Sequence, residues 1–109
     1  MSFNDHLGLR PGDTPHSVVL ETRPEHEVVP GTIHFAVLVT LAEVSAARAV
    51  SAAVVPTAVN LHLLSRAEPG RLEGRGRVLR RGRRISVAEG EVFQGEKLVA
   101  KATVQFAML

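Results

Sequence analysis

Cysteine, tryptophan and tyrosine are missing from the 109-residue chain, and phenylalanine occurs only four times. Without cysteine, no disulfide framework and no thiolate metal site can form, which fits a reducing compartment. With so few rings, the stacking platforms that hold single-stranded nucleic acid have no material. Long unbroken apolar runs are missing too. The greasiest stretch, residues 31–55, is interrupted by Thr40, Glu43, Ser45, Arg48 and Ser51, which falls short of the roughly 20 largely apolar residues of a bilayer span. No basic start followed by an apolar run opens the chain, so no secretory leader is expected, and the expected location is cytoplasmic. His6, His16 and His26 are dispersed, with no metal-ligand spacing to a carboxylate, so no metal site is expected.

Charge is present but unevenly spread. The net value is +2, yet the segment 66–84 holds eight Arg against Glu68 and Glu73, while the remainder holds five basic and nine acidic residues. One basic hairpin on a mildly acidic body points to an anionic small molecule more than to a nucleic-acid surface. An Arg-rich, solvated sheet face is the alternative reading of the same residues.

The stretch 31–55, GTIHFAVLVTLAEVSAARAVSAAVV, is filled by Ala, Val and Leu on every side. A helix apolar all round belongs in the middle of a fold. Pro30-Gly31 leads into it with Thr32 as its expected cap, and Pro56 is expected to stop it. Within it Glu43 stands out, because a carboxylate among small apolar neighbours is costly unless it is paired or working. Glu43 shares a helix face with Ala36, Val39, Ala47 and Val50, surroundings that raise a carboxyl pKa. A structural ion pair, with Arg48 or with an Arg of a second copy, is the competing role.

Around the helix the pattern is strand-like. Residues 1–15 read as a short helical or irregular lead-in, and residues 16–23 as a first strand. Residues 57–66 alternate, with Val59, Leu61 and Leu63 on one face and Asn60, His62 and Leu64 on the other. Residues 71–80 place Leu72, Gly74, Gly76 and Val78 together, and glycines on an inner face leave room for close approach, as by the helix. Residues 83–93 return from the Arg81-Gly82 turn, and a last strand alternates from Leu98 to Met108. The order is strand, long buried helix, then four antiparallel strands, an α+β arrangement in one domain spanning 1–109. One helix covers only one face of five strands, so a homodimer or homotetramer is expected.

This order, with these residues, resembles the hotdog fold, in which a five-stranded antiparallel sheet wraps around one long central helix. More narrowly it is similar to the acyl-CoA thioesterase family of the phenylacetate-degradation and hydroxybenzoyl-CoA thioesterase type. That family's signature is Gly, two residues, His-Gly-Gly, and an acid nine residues after the His within Leu-Ala-Asp/Glu. Here Gly31, His34, Leu41, Ala42 and Glu43 occupy those positions. His-Gly-Gly is His34-Phe35-Ala36, the family's Asn or Gln six residues before the His is Val28, and the Ser or Thr four after the acid is Ala47.

The resemblance implies hydrolysis of an acyl-CoA thioester, with coenzyme A as part of the substrate and no other cofactor. It assigns Glu43 as base or nucleophile and His34 to the site. The Phe35 backbone N–H polarises the carbonyl, aided by the helix dipole. Val28, Ala36 and Ala47 then line the substrate, and Asn60 and His62 are expected to approach the acyl pocket. Arg80, Arg81, Arg83 and Arg84 are expected to meet the CoA phosphates, which guanidinium groups bind bidentately. Nine helical residues set His34 and Glu43 on opposite sides of the helix, about 13 Å apart along it. One helix cannot bring both to one substrate, whereas two antiparallel copies can, in line with the family's dimer-interface site. The apolar replacements also fit a hotdog protein that binds an acyl-CoA or another small ligand without hydrolysing it.

Overall fold

The computed structural model describes residues 2–109. A short helix α1 (Phe3–Leu7) and a two-residue strand β1 (Arg10–Pro11) precede β2 (Ser17–Glu21). A single 3-10 turn (Pro24–His26) leads to a small hairpin, β3 (Glu27–Val29) and β4 (Thr32–Ile33), and then to the long helix α2 (Phe35–Val50). Four long strands follow: β5 (Val54–Leu63), β6 (Arg71–Arg80), β7 (Ile85–Gln94) and β8 (Lys97–Met108). The main sheet is antiparallel, in the order β1-β2-β6-β7-β8-β5. The five expected strands are all present, and β1 adds a sixth at one edge.

The helix is shorter at both ends than the apolar stretch predicts. Thr32 and Ile33 pair with β3 across the Pro30-Gly31 turn instead of entering the helix, and the cap is His34, not Thr32. Gly31 takes a left-handed φ of 86° there, and its N–H donates to the Glu27 carboxylate at 2.7 Å. At the far end Ser51 adopts φ 59° and ends the helix, its N–H donating to the Ala47 carbonyl at 3.2 Å. Pro56, the expected stop, lies inside β5 opposite Phe106, next to a register shift. An outermost strand tolerates proline because one side of it forms no ladder bonds.

Small residues decide how closely α2 lies on the sheet. Gly76 and Gly90 face one another across β6 and β7, and Ala102 continues the row on β8. A Cβ placed on Gly90 would stand 1.9 Å from the Ala42 carbonyl oxygen, and one on Gly76 would stand 1.9 Å from that of Ser45. The helix backbone therefore rests directly on the two strands, and glycine is required by lack of space. Leu20, Leu41, Leu72, Val92, Val104 and Phe106 fill the core on either side of this contact.

The opposite face of the sheet carries charge. Glu89 is almost fully buried there between Arg77, whose Nε donates to it at 2.9 Å, and Lys101, whose Nζ lies 3.2 Å away. Burial opposes its ionisation, but hydrogen bonds from Arg77 and Lys101 outweigh this and hold the carboxyl below its usual range. β5 forms the other edge of the sheet, and Val55, Val59 and Leu63 on it are exposed. Among the described residues no helix is long and apolar enough to cross a membrane.

Candidate functional site

The N-terminus of α2 is built by a backbone relay. The His34 N–H donates to the His26 carbonyl at 2.9 Å, and the Ile33 N–H donates to that of Ala67 at 2.9 Å. His34 then caps the helix with its own ring, Nδ1 accepting the Ala36 N–H at 3.0 Å. Its ring stacks on Phe35, with centroids 4.9 Å apart and planes 26° apart. Among the described residues the Phe35 N–H has no partner within the chain. A free N–H at the first turn of a sixteen-residue helix, reinforced by the helix dipole, suits an oxygen that gains negative charge.

Beside this donor lies an apolar cleft of about 500 Å³, bounded by Val28, Ile33, Phe35 and Leu38 on one side and by residues 63–67 on the other. Leu63, Leu64, Ser65 and Arg66 were not among the residues singled out from sequence. Two adjacent leucines at the end of an alternating strand carry a usable signal, since both are half-exposed here. In the alternation they fall on opposite faces, which conceals that the chain leaves the strand between them.

Glu43 stands elsewhere. It is partly buried in the middle of α2 and lines a second cleft of about 460 Å³ with Ala47, Arg48, Ser51 and Pro15. Burial raises its pKa above the usual carboxylate value, and among the described residues it has no ion-pair or hydrogen-bond partner. Arg48, the candidate structural partner, instead donates to the Pro15 carbonyl at 3.2 Å. An unpaired carboxyl whose pKa is raised by burial is a stronger base than an ordinary carboxylate, which suits a general base.

The sequence-predicted residues thus fall into separate groups. Val28, His34 and Phe35 meet at the first cleft, and Glu43 and Ala47 at the second. Ala36 is exposed and contributes its N–H to the His34 cap. Asn60 and His62 pair in register with Thr103 and Lys101 and line neither cleft. They lie on the same sheet face as Lys101 and Glu89, so this chain does not bring them to the helix. In the β6–β7 hairpin Arg81 donates to the Val50 carbonyl at 2.7 Å and so closes the C-terminus of α2. Arg80, Arg83 and Arg84 are exposed. Among the described residues no cluster of His, Asp and Glu is arranged to hold a metal.

A single long helix laid on an antiparallel sheet, with its N-terminal donor beside a cleft, defines the hotdog class. Residues 22–107 match the family described as the acyl-CoA thioesterase N-terminal domain. The chain belongs to that family. Solved structures agree with this assignment. A mutant of the phenylacetic acid degradation protein PaaI of Thermus thermophilus is 28% identical, with a TM-score of 0.87 over 98% of each chain. A conserved protein of Pseudomonas aeruginosa is 27% identical, with a TM-score of 0.89 over 100% of this chain and 94% of that one. A Bacillus halodurans protein solved with CoA shares the fold at 19% identity, with a TM-score of 0.87 over 97% of this chain and 74% of that one. No curated protein sequence matches the chain.

Proposed function

We propose that the protein hydrolyses an acyl-CoA thioester at a site completed by two copies of the chain. One observation carries the reading: the free Phe35 N–H and the unpaired Glu43 sit on one helix, about 12 Å apart along it, each in its own cleft. Each chain holds both halves of an acyl-transfer site, out of mutual reach. Pairing the open β5 edges of two copies would set two α2 helices side by side and antiparallel, with one copy's Phe35 towards the other's Glu43. Exposed Val55 and Val59 on that edge support such a pairing. The family membership and the CoA bound by the Bacillus halodurans protein support the substrate class.

In this reading the acyl group enters the apolar cleft with its carbonyl oxygen on the Phe35 N–H. Glu43 of the second copy removes a proton from a water molecule, whose oxygen adds to the carbonyl carbon. The tetrahedral oxyanion is held at Phe35. It then collapses, breaking the carbon–sulfur bond, and the CoA thiolate recovers the proton from Glu43. Direct attack by the Glu43 carboxylate, followed by hydrolysis of the resulting anhydride, uses the same groups. Arg80, Arg83 and Arg84 suit the phosphates of CoA, and Arg81 adds its charge while holding the helix end. A cytoplasmic location suits a CoA-dependent enzyme.

The test is Glu43→Gln assayed for turnover and melting together. Turnover on acyl-CoA should fall by about 10²–10⁴-fold. Melting at pH 7 should hold or rise, because a carboxyl raised by burial alone destabilises the fold once it ionises. Near-normal turnover would refute the role of Glu43, and a monomer in light scattering at micromolar concentration would refute the shared site. Tight acyl-CoA binding by a wild-type protein without turnover would establish the non-catalytic alternative.

A further inference from the structure

Phe35 enters the proposed reaction through its backbone alone, and its ring is left without a task. We infer that this ring selects the acyl group, admitting uncharged apolar chains and excluding bulk attached directly to the thioester carbonyl. The inference rests on the hydrolase reading for the identity of the ligand.

Four large apolar side chains converge on the first cleft while remaining half-exposed: Val28 at 54%, Phe35 at 54%, Leu63 at 55% and Leu64 at 53%. Apolar surface gathered in one concavity marks a binding site for an apolar group. Phe35 differs from the other three because its ring and the proposed carbonyl donor belong to one residue. A helical side chain leans back towards the N-terminus, which carries this ring over the cleft and beside the donor. Whatever is bonded to the carbonyl carbon must therefore pass the ring.

The ring is also held in place. It stacks on His34, which is itself fixed by the bond from Ala36 N–H to its Nδ1. Among the described residues Arg66 is the one permanently charged side chain lining the cleft, and it is engaged by Glu68 at 3.0 Å. A carboxylate at the end of an acyl chain would lose water there without gaining a free partner. Straight apolar chains fit these conditions, whereas aryl groups directly on the carbonyl and dicarboxylic half-thioesters do not.

The experiment compares wild type, Phe35→Leu and Phe35→Ala on hexanoyl-, benzoyl- and succinyl-CoA, with thermal melting as the check on folding. The benzoyl-to-hexanoyl ratio of kcat/KM should rise by about tenfold or more in Phe35→Ala, with Phe35→Leu between, as pocket discrimination by a few carbons allows. Succinyl-CoA should remain the poorest substrate in all three. A ratio unchanged within about twofold, or succinyl-CoA preferred by wild type, would overturn the inference. If wild type hydrolyses none of the three, the hydrolase reading fails separately, and calorimetric affinities for the same thioesters replace kcat/KM. A tenfold shift in their ratio then upholds the role of Phe35 and an unchanged ratio rejects it. Phe35→Leu keeps the test decisive if Phe35→Ala does not fold.

Discussion

Gly90→Ala is the sharpest test of how the fold positions the site. The added methyl carbon would lie 1.9 Å from the Ala42 carbonyl oxygen, 2.6 Å from its carbonyl carbon and 2.7 Å from its Cα. All three are backbone atoms, so no side chain can swing aside. Restoring an ordinary contact of 3.4 Å requires α2 to retreat by about 1.5 Å at that point. Such overpacking of a filled core costs typically 1–3 kcal/mol, and with backbone on both sides about 3 kcal/mol is expected. For a chain of this length that is a fall in Tm of about 13 °C. Ala42 immediately precedes Glu43, so the retreat also moves the proposed base, and a misplacement of about 1 Å lowers turnover by about 10²-fold. Circular dichroism melts and acyl-CoA turnover on one preparation measure both effects. Gly74→Ala provides the gradation, because its nearest backbone contact, the Leu41 carbonyl oxygen at 2.8 Å, is less severe. A Tm within about 2 °C of wild type for Gly90→Ala, or a larger loss for Gly74→Ala, would refute this packing.

Ser51→Gly should raise Tm by about 4 °C, because the left-handed conformation that ends α2 costs serine roughly 1 kcal/mol that glycine avoids; an unchanged or lower Tm counts against it. Glu89→Gln should destabilise the fold by about 2 kcal/mol at neutral pH by weakening its charged hydrogen bonds to Arg77 and Lys101. The Glu89 carboxyl is held low in the folded state, so its contribution is present above the unfolded-state value and fades as pH falls; urea melts of variant and wild type should therefore converge in acid. Glu43 works in the opposite direction. Its folded pKa is raised, so stability is lost as pH rises through that value, while activity that depends on the carboxylate increases. In Glu43→Gln both dependences should vanish together, and an unaltered stability profile would show that Glu43 is not the group responsible.

Much of the architecture is legible without coordinates. Alternation in β6 and β8, the apolar α2 and the turn at Arg81-Gly82 indicate element type and order, because side-chain period follows directly from backbone geometry. The glycines of β6 could be read as room for close approach, and they are that. Glu43 could be singled out as a costly carboxylate among alanines and valines, which points to its raised pKa but not to its being left unpaired within the chain. The separation of His34 from Glu43 follows from helical rise alone.

What tertiary structure decided are the choices that local chemistry leaves degenerate. Thr32, Ile33, Val54 and Val55 are apolar or β-branched enough for either helix or strand, and pairing with β3 and β8 made them strand. Arg48 lies five residues from Glu43 and could have paired with it, but Pro15, brought in from the N-terminal segment, offers its carbonyl to the guanidinium instead. Arg81 looks like one of four equivalent surface cations until the hairpin folds over the end of α2 and supplies Val50 as its acceptor. Asn60 and His62 alternate correctly, yet only the register with Lys101 and Thr103 shows which face they share. Spacing along a chain limits what neighbours in sequence can do, whereas contacts between segments are chosen by the packing that satisfies every element at once.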